Sequence, residues 1–228
     1  LLAKLKEVKM ADSPYKQDVE EISKRAKLDA EAEANPFAAF SIQCIQTENN
    51  VAMVNLLNDD ELEQWQKYML RNLNTIQNVQ RFLMLITKPY LSAFFKYIQE
   101  YLSDKDYASM LYEVWIMVEY PNFDVNVSKS EFLKMFKRVN KSFLMSQEEQ
   151  SVLDKLPETI TVYRGLQRNA STEALSWTLD KNVAEWFANR FDNNGEVVKA
   201  TINKKYVFAY INGRGEKEVV LDYKKLVF

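Results

Sequence analysis

Three short pieces near the end of the chain combine residue types that can do chemistry together: Tyr163-Arg164-Gly165, Ser176-Trp177-Thr178 and Glu216-Lys217-Glu218. An arginine at a strand end offers a planar fork for a phosphate or a carboxylate. A glycine after it lets a ligand approach the backbone closely. Ser176 and Thr178 stand two apart, so on a strand both hydroxyls point to one face. Glu216 and Glu218 share the same spacing. Two carboxylates that close raise each other's pKa unless a cation or hydrogen bonds hold them ionised. One arginine, a hydroxyl pair and a carboxylate pair suit an anionic ligand that carries ribose hydroxyls.

The elements that must position these groups follow from the local pattern. Thr159-Ile160-Thr161-Val162-Tyr163 is β-branched and aromatic, and predicts a strand that delivers Arg164 at its end. Residues 175–179 predict a second strand. Asp180 caps a helix on which Val183, Phe187 and Phe191 fall four apart, an apolar stripe expected in the core. Residues 196–202, 206–211 and 217–223 complete the set of strands. Upstream of Pro157 the texture is helical. Leu62, Trp65, Met69, Leu73 and Ile76 repeat at helical spacing, a pattern that runs on to Pro89. Further helices fit 90–102 and 105–119, and Pro121-Asn122 marks a turn. Ser128 with Glu131, and Ser146 with Glu149, are capping boxes that open helices at about 129–140 and 147–155. Residues 17–33 read as an exposed helix, and 35–57 show no clear period.

Composition narrows the chemistry. The chain contains no histidine, so Ser-His-Asp and Cys-His catalysis and histidine-based zinc sites are excluded. A single cysteine, Cys44, cannot form an internal disulfide, and reads as a small buried hydrophobe. Acid–base work falls to carboxylates, Lys or Tyr. A net charge of -2 gives no reason to expect a nucleic-acid or anionic-membrane partner. No apolar run approaches the ~20 residues that span a bilayer, and no signal peptide is read in the sequence as given. Asp59-Asp60-Glu61 reads as the acidic first turn of a helix rather than a metal site. The oligomeric state is not legible.

The three pieces, in this order and strand context, resemble the arginine–serine–glutamate class of ADP-ribosyltransferases. This class includes bacterial exoenzyme toxins, vertebrate arginine-specific enzymes and phage enzymes. Arg164 matches the first-strand arginine. Ser176-Trp177-Thr178 matches the Ser-Thr-Ser motif, with Trp in the middle and Thr last. Glu216-Lys217-Glu218 matches the Glu-x-Glu motif. The likeness covers about residues 159–226. It implies an α+β protein, with an N-terminal helical region (1–157) packed on a small split β-sheet core (158–228). It also implies NAD⁺ as the cofactor and a protein as acceptor, modified on arginine; a toxin, phage or bacterial effector fits that description.

Under the resemblance each residue acquires a role. Glu218 bonds the ribose 2′-hydroxyl and meets the positive charge that develops as the nicotinamide–ribose bond breaks. Arg164 holds the phosphates or braces the site, and Gly165 offers its backbone to the nicotinamide amide. Ser176 orients Glu218, Thr178 supports the strand, and Trp177 stacks on nicotinamide or fills the core. Glu216 binds or deprotonates the accepting guanidinium. An NAD⁺ glycohydrolase and a non-catalytic binding protein of the same fold are the alternatives. The connection from Arg164 to Ser176 is short for the class. The upstream helices 129–140 and 147–155 are therefore expected to pack on the β core and complete the cleft. The helical aromatics, among them Trp65, Tyr68, Phe82, Phe94, Phe95, Tyr112 and Trp115, are expected in the core.

Overall fold

The computed structural model describes residues 37–228 apart from 48–49, 76–79, 119–120, 168–169 and 192–193. The expected helix at 17–33 lies outside them. The architecture is α+β: seven helices and two antiparallel sheets, of two and five strands, among the described residues. The chain divides into two compact units between Phe94 and Phe95. The helices from 104 to 155 therefore belong to the same unit as the strands that follow Pro157, and the change of texture at that proline marks no boundary between units.

In the first unit a hairpin of β1 (Ile42–Gln46) and β2 (Val51–Asn55) precedes α1 (Asp59–Thr75) and the short α2 (Gln80–Leu83). Ile45 and Val54 are buried with Ala38, Leu56 and Trp65. The hairpin occupies the stretch whose sequence shows no clear period. Cys44, expected to be buried, points outward on β1 and is exposed. Asn58 starts α1 by accepting the backbone N–H groups of Asp60 and Glu61. Glu61 turns back to accept the N–H of Asn55 at 2.6 Å, so the acidic first turn is structural.

The second unit follows α3 (Leu91–Ile98), inside which the boundary falls. It contains α4 (Asp104–Met117), α5 (Lys129–Arg138) and α6 (Gln147–Lys155). Both capping boxes form as expected: Ser128 and Ser146 cap, and Glu131 and Glu149 reach back. The sheet has the order β5-β3-β4-β7-β6, all antiparallel, from β3 (Thr159–Leu166), β4 (Ser176–Thr178), β5 (Glu196–Asn203), β6 (Val207–Ile211) and β7 (Glu218–Leu221). Helix α7 (Lys181–Ala188) starts at the Asp180 cap.

Strand alternation sorts the side chains of β4 and β7. Trp177, Val219 and Leu221 turn to a core that includes Leu153, Ile160, Val162 and Ile202. Ser176, Thr178 and Glu218 take the opposite face, where Thr178 and Glu218 are direct cross-strand partners. On that side Trp115 packs edge-on against Phe132 and Phe136, and Phe136 stacks on Phe208. Helices α4 and α5 thus roof the face that carries the carboxylate.

Two glycines fix α7. A Cβ on Gly165 would lie 2.1 Å from the Ala184 carbonyl oxygen, and one on Gly195 would lie 1.9 Å from that of Ala188. Side chains at either position would lift the helix off the sheet. The sheet is not evenly knit. β3 pairs with β5 along eight residues, but with β4 only at Tyr163–Thr178. Past that pair the two strands part, and the gap opens into a cleft.

Candidate functional site

All seven residues singled out by type and spacing border one cleft of about 240 Å³ in the second unit: Arg164, Gly165, Ser176, Trp177, Thr178, Glu216 and Glu218. Its other walls come from Trp115, Val118, Pro121 and Asn122, and from α7 and the residues just beyond it.

Glu218 is the floor. It opens β7 and is 4% exposed. Oε1 accepts the indole N–H of Trp115 at 3.0 Å, and the Ser176 hydroxyl also bonds the carboxylate. Oε2 is buried without a hydrogen bond, and a guanidinium nitrogen of Arg214 stands 3.6 Å from it. Burial pushes the Glu218 carboxyl above the usual carboxylate range, against the pull of Ser176, Trp115 and Arg214.

Arg164 is a brace. Its Nη1 donates to the carbonyl oxygen of Ser176, across the gap where β3 and β4 have parted. That carbonyl has no β3 amide to accept from, and the guanidinium takes the amide's place. Its Nε is buried and unpartnered. Burial lowers the guanidinium pKa to about 10, and Glu218 opposes the shift, so the group stays cationic at neutral pH.

Glu216 sits on the rim. The expected strand from 217 begins one residue later, and Glu216 lies in the loop before it. The two carboxylates converge all the same, because Arg214 bridges them: Nη2 is 3.1 Å from Glu216 and 3.6 Å from Glu218. Lys217 between them adopts φ 45°, a left-handed conformation that costs a non-glycine residue about 1–2 kcal/mol. Its surroundings hold it there. Asn212 Oδ1 accepts its N–H, its carbonyl accepts the N–H of Leu179, and its ammonium pairs with Asp180 at 2.8 Å. The twist sends Lys217 away from the cleft and leaves both glutamates on it. Thr178 donates to the Glu216 carbonyl at 2.7 Å and so anchors the rim to β4.

The loop is also tied to the helices. The capping-box residue Glu149 uses Oε2 on Ser146. Its Oε1 accepts both the Tyr112 hydroxyl and the N–H of Asn212. Burial, helped by that bond to Glu149, pushes the Tyr112 hydroxyl up to about 12. A motif that the sequence marks only as the start of a helix therefore also fixes the turn that presents Glu216.

Some expectations need correction. Trp177 does not offer a stacking surface: its ring is buried in the core, and its N–H donates to the Ala174 carbonyl. Gly165 is required first for helix packing, since α7 fills the space where its side chain would be. Val183, Phe187 and Phe191 are not a core stripe. Ala184 and Ala188 face inward instead, Val183 and Phe187 are half-buried on the cleft wall, and Phe191 is 65% exposed. Helices α5 and α6 support the site but do not line it; the wall comes from α4 and the residues after it.

Reading the sequence missed Trp115, Arg214 and Asn122. Trp115 lies 103 positions from Glu218 on a helix whose other aromatics are core, so no local signal separates it from them. Asn122 accepts the buried N–H of Leu175 and so sets the approach to β4. Arg214 carried a signal, a cation two residues before a carboxylate pair.

Among the described residues no group of three or more His, Cys, Asp or Glu is placed to hold a metal ion, and no helix is long and apolar enough to cross a membrane. No protein-family model matches the sequence, and no curated protein or solved structure matches it.

Proposed function

We propose that the chain is an NAD⁺-dependent mono-ADP-ribosyltransferase that modifies a protein on arginine. One observation carries this reading: a fully buried carboxylate, oriented by an indole N–H and a serine hydroxyl, keeps one oxygen without a hydrogen bond at the bottom of a cleft. A buried acceptor left without a donor is costly in a resting protein. Glu218 Oε2 fits a ligand hydroxyl, and the ribose 2′-hydroxyl is such a donor. The buried, unpartnered Nε of Arg164 is a cationic donor in the same cleft, suited to an anionic ligand.

The chain's residues then divide the work. Trp115 and Ser176 hold Glu218 at a fixed angle. Its negative charge, poorly solvated, faces the ribose carbon as positive charge develops there, and preorganised electrostatics of this kind act mainly in the transition state. Arg164 keeps β4 in place across the gap. Glu216 receives the guanidinium of the acceptor and takes its proton. The cleft is smaller than the ~300–1,000 Å³ typical of ligand pockets. The nicotinamide–ribose end of the dinucleotide therefore enters, and the adenosine end rests toward Phe187, Arg190 and Phe191 at the mouth.

Incubation of the folded chain with NAD⁺ labelled in the adenosine half tests the proposal. Label on protein supports transfer. Free ADP-ribose alone makes the chain a glycohydrolase, and neither product leaves a binding protein.

A further inference from the structure

The loop between β6 and β7 carries a guanidinium of its own to the place where an acceptor guanidinium is needed. Arg214 Nη2 lies 3.1 Å from Glu216 and 3.6 Å from the unbonded oxygen of Glu218. Nη1 donates to the Ile116 carbonyl at 3.2 Å, and the side chain is 47% exposed. Gly213 and Gly215 flank it, and Gly215 has φ 72°. The turn closes on Asn212, which Glu149 anchors. The arginine is thus presented by a built turn.

We propose that Arg214 is an internal acceptor and that the protein ADP-ribosylates itself there; this rests on the function proposed above. The contact with Glu218 is longer than a hydrogen bond and yields to a ribose hydroxyl, while the shorter contact holds the guanidinium on Glu216. The bond between ribose C1′ and the nicotinamide ring nitrogen breaks, and its electron pair leaves with neutral nicotinamide. A terminal nitrogen of Arg214 forms the new bond to C1′, and its proton passes to Glu216 and then to solvent. Nothing is oxidised or reduced, and NAD⁺ is the only co-reactant. A tethered acceptor competes at a high effective concentration, on the order of millimolar for short flexible connections. The adduct then lies across the acceptor side of the cleft, so self-modification limits transfer to other proteins.

The full chain is incubated with NAD⁺, with and without agmatine as a free guanidinium, and the products are followed by nicotinamide release, intact mass and site mapping. The expected result is one adduct on Arg214, formed at a rate that does not change on serial dilution of the protein. Arg214→Lys loses that adduct, and a larger share of the ADP-ribose that it still transfers goes to agmatine than in the wild type. An adduct mapped to another residue, a rate proportional to protein concentration, or nicotinamide release with no adduct overturns the internal acceptor and leaves the NAD⁺ reading standing. No nicotinamide release from the wild type with agmatine present overturns that reading itself. The mapping on wild-type protein decides the question even where Arg214→Lys fails to fold.

Discussion

The floor and the rim of the cleft carry one glutamate each, and they are built in opposite ways. Glu218 on the floor opens a strand, is buried, and is held by two donors from two other elements, Trp115 and Ser176. Glu216 on the rim is in a turn, and its side chain is 26% exposed. It is placed by a left-handed lysine, a glycine with positive φ and a threonine that grips its carbonyl. Rigidity and low solvation suit a charge that must meet a transition state. Access suits a group that must receive a partner's side chain. On the proposed function, residues of like type, two positions apart, are divided by burial into two tasks.

That division can be broken at the rim first. Glu216→Gln keeps the turn and the size but removes the charge that faces a guanidinium. Transfer to arginine should be abolished while much of the NAD⁺ hydrolysis survives. Parallel assays of protein labelling and nicotinamide release check this, and equal loss of both would make Glu216 part of the floor.

The next effect is structural. Gly165→Ala puts a methyl group 2.1 Å from a backbone oxygen that cannot swing away. Overpacking typically costs about 1–3 kcal/mol and sometimes more, and a clash with backbone belongs at the upper end. Thermal unfolding should show a drop of roughly 6–12 °C for about 3 kcal/mol in a chain of this size. An unchanged melting temperature would mean that α7 does not lie against β3 as described.

A milder change sharpens the account of the floor. Trp115→Phe keeps the aromatic packing on Phe132 and Phe136 but removes the N–H that favours ionised Glu218. The Glu218 pKa should rise further. The acid limb of the pH–rate profile should then move to higher pH, with a lower rate along that limb. A lower rate with an unmoved limb would assign Trp115 to packing alone.

The smallest effect is on stability. Burial raises the folded-state pKa of Glu218 above its unfolded value, so the folded protein binds this proton more readily than the unfolded chain does. The stability that this adds is full below the unfolded pKa and is lost as pH rises through the folded value. Glu218→Gln should therefore melt higher than the wild type at neutral pH, with the difference shrinking on acidification. A difference that does not depend on pH would show that Glu218 is ionised at no cost.

Much of this site was legible before the structure, because its signals are local. Strand alternation put Ser176 and Thr178 on one face, the serine–glutamate spacing located both caps, and Asp180 marked the start of α7. What escaped is what only folding brings together. Trp115 reaches Glu218 from a helix far back in the chain. Glu149 spends its second oxygen on a turn that the cap does not foretell. The stripe Val183, Phe187 and Phe191 has the spacing of a core face, yet Gly165 and Gly195 seat α7 on its alanines and turn those side chains toward the cleft and its mouth. The β1–β2 hairpin was invisible because its strands mix exposed apolar residues such as Val51 and Met53 with buried ones such as Val54.

On the proposed function, the buried carboxylate on the floor performs the chemistry. The most direct test measures NAD⁺ turnover and NAD⁺ affinity together in the wild type and in Glu218→Gln. The account predicts nicotinamide release by the wild type and a loss of at least ~10²-fold in the variant, the scale of one preorganised electrostatic group. It predicts a much smaller change in affinity, because the interaction strengthens mainly in the transition state. Wild-type-like turnover in a folded Glu218→Gln protein would contradict it.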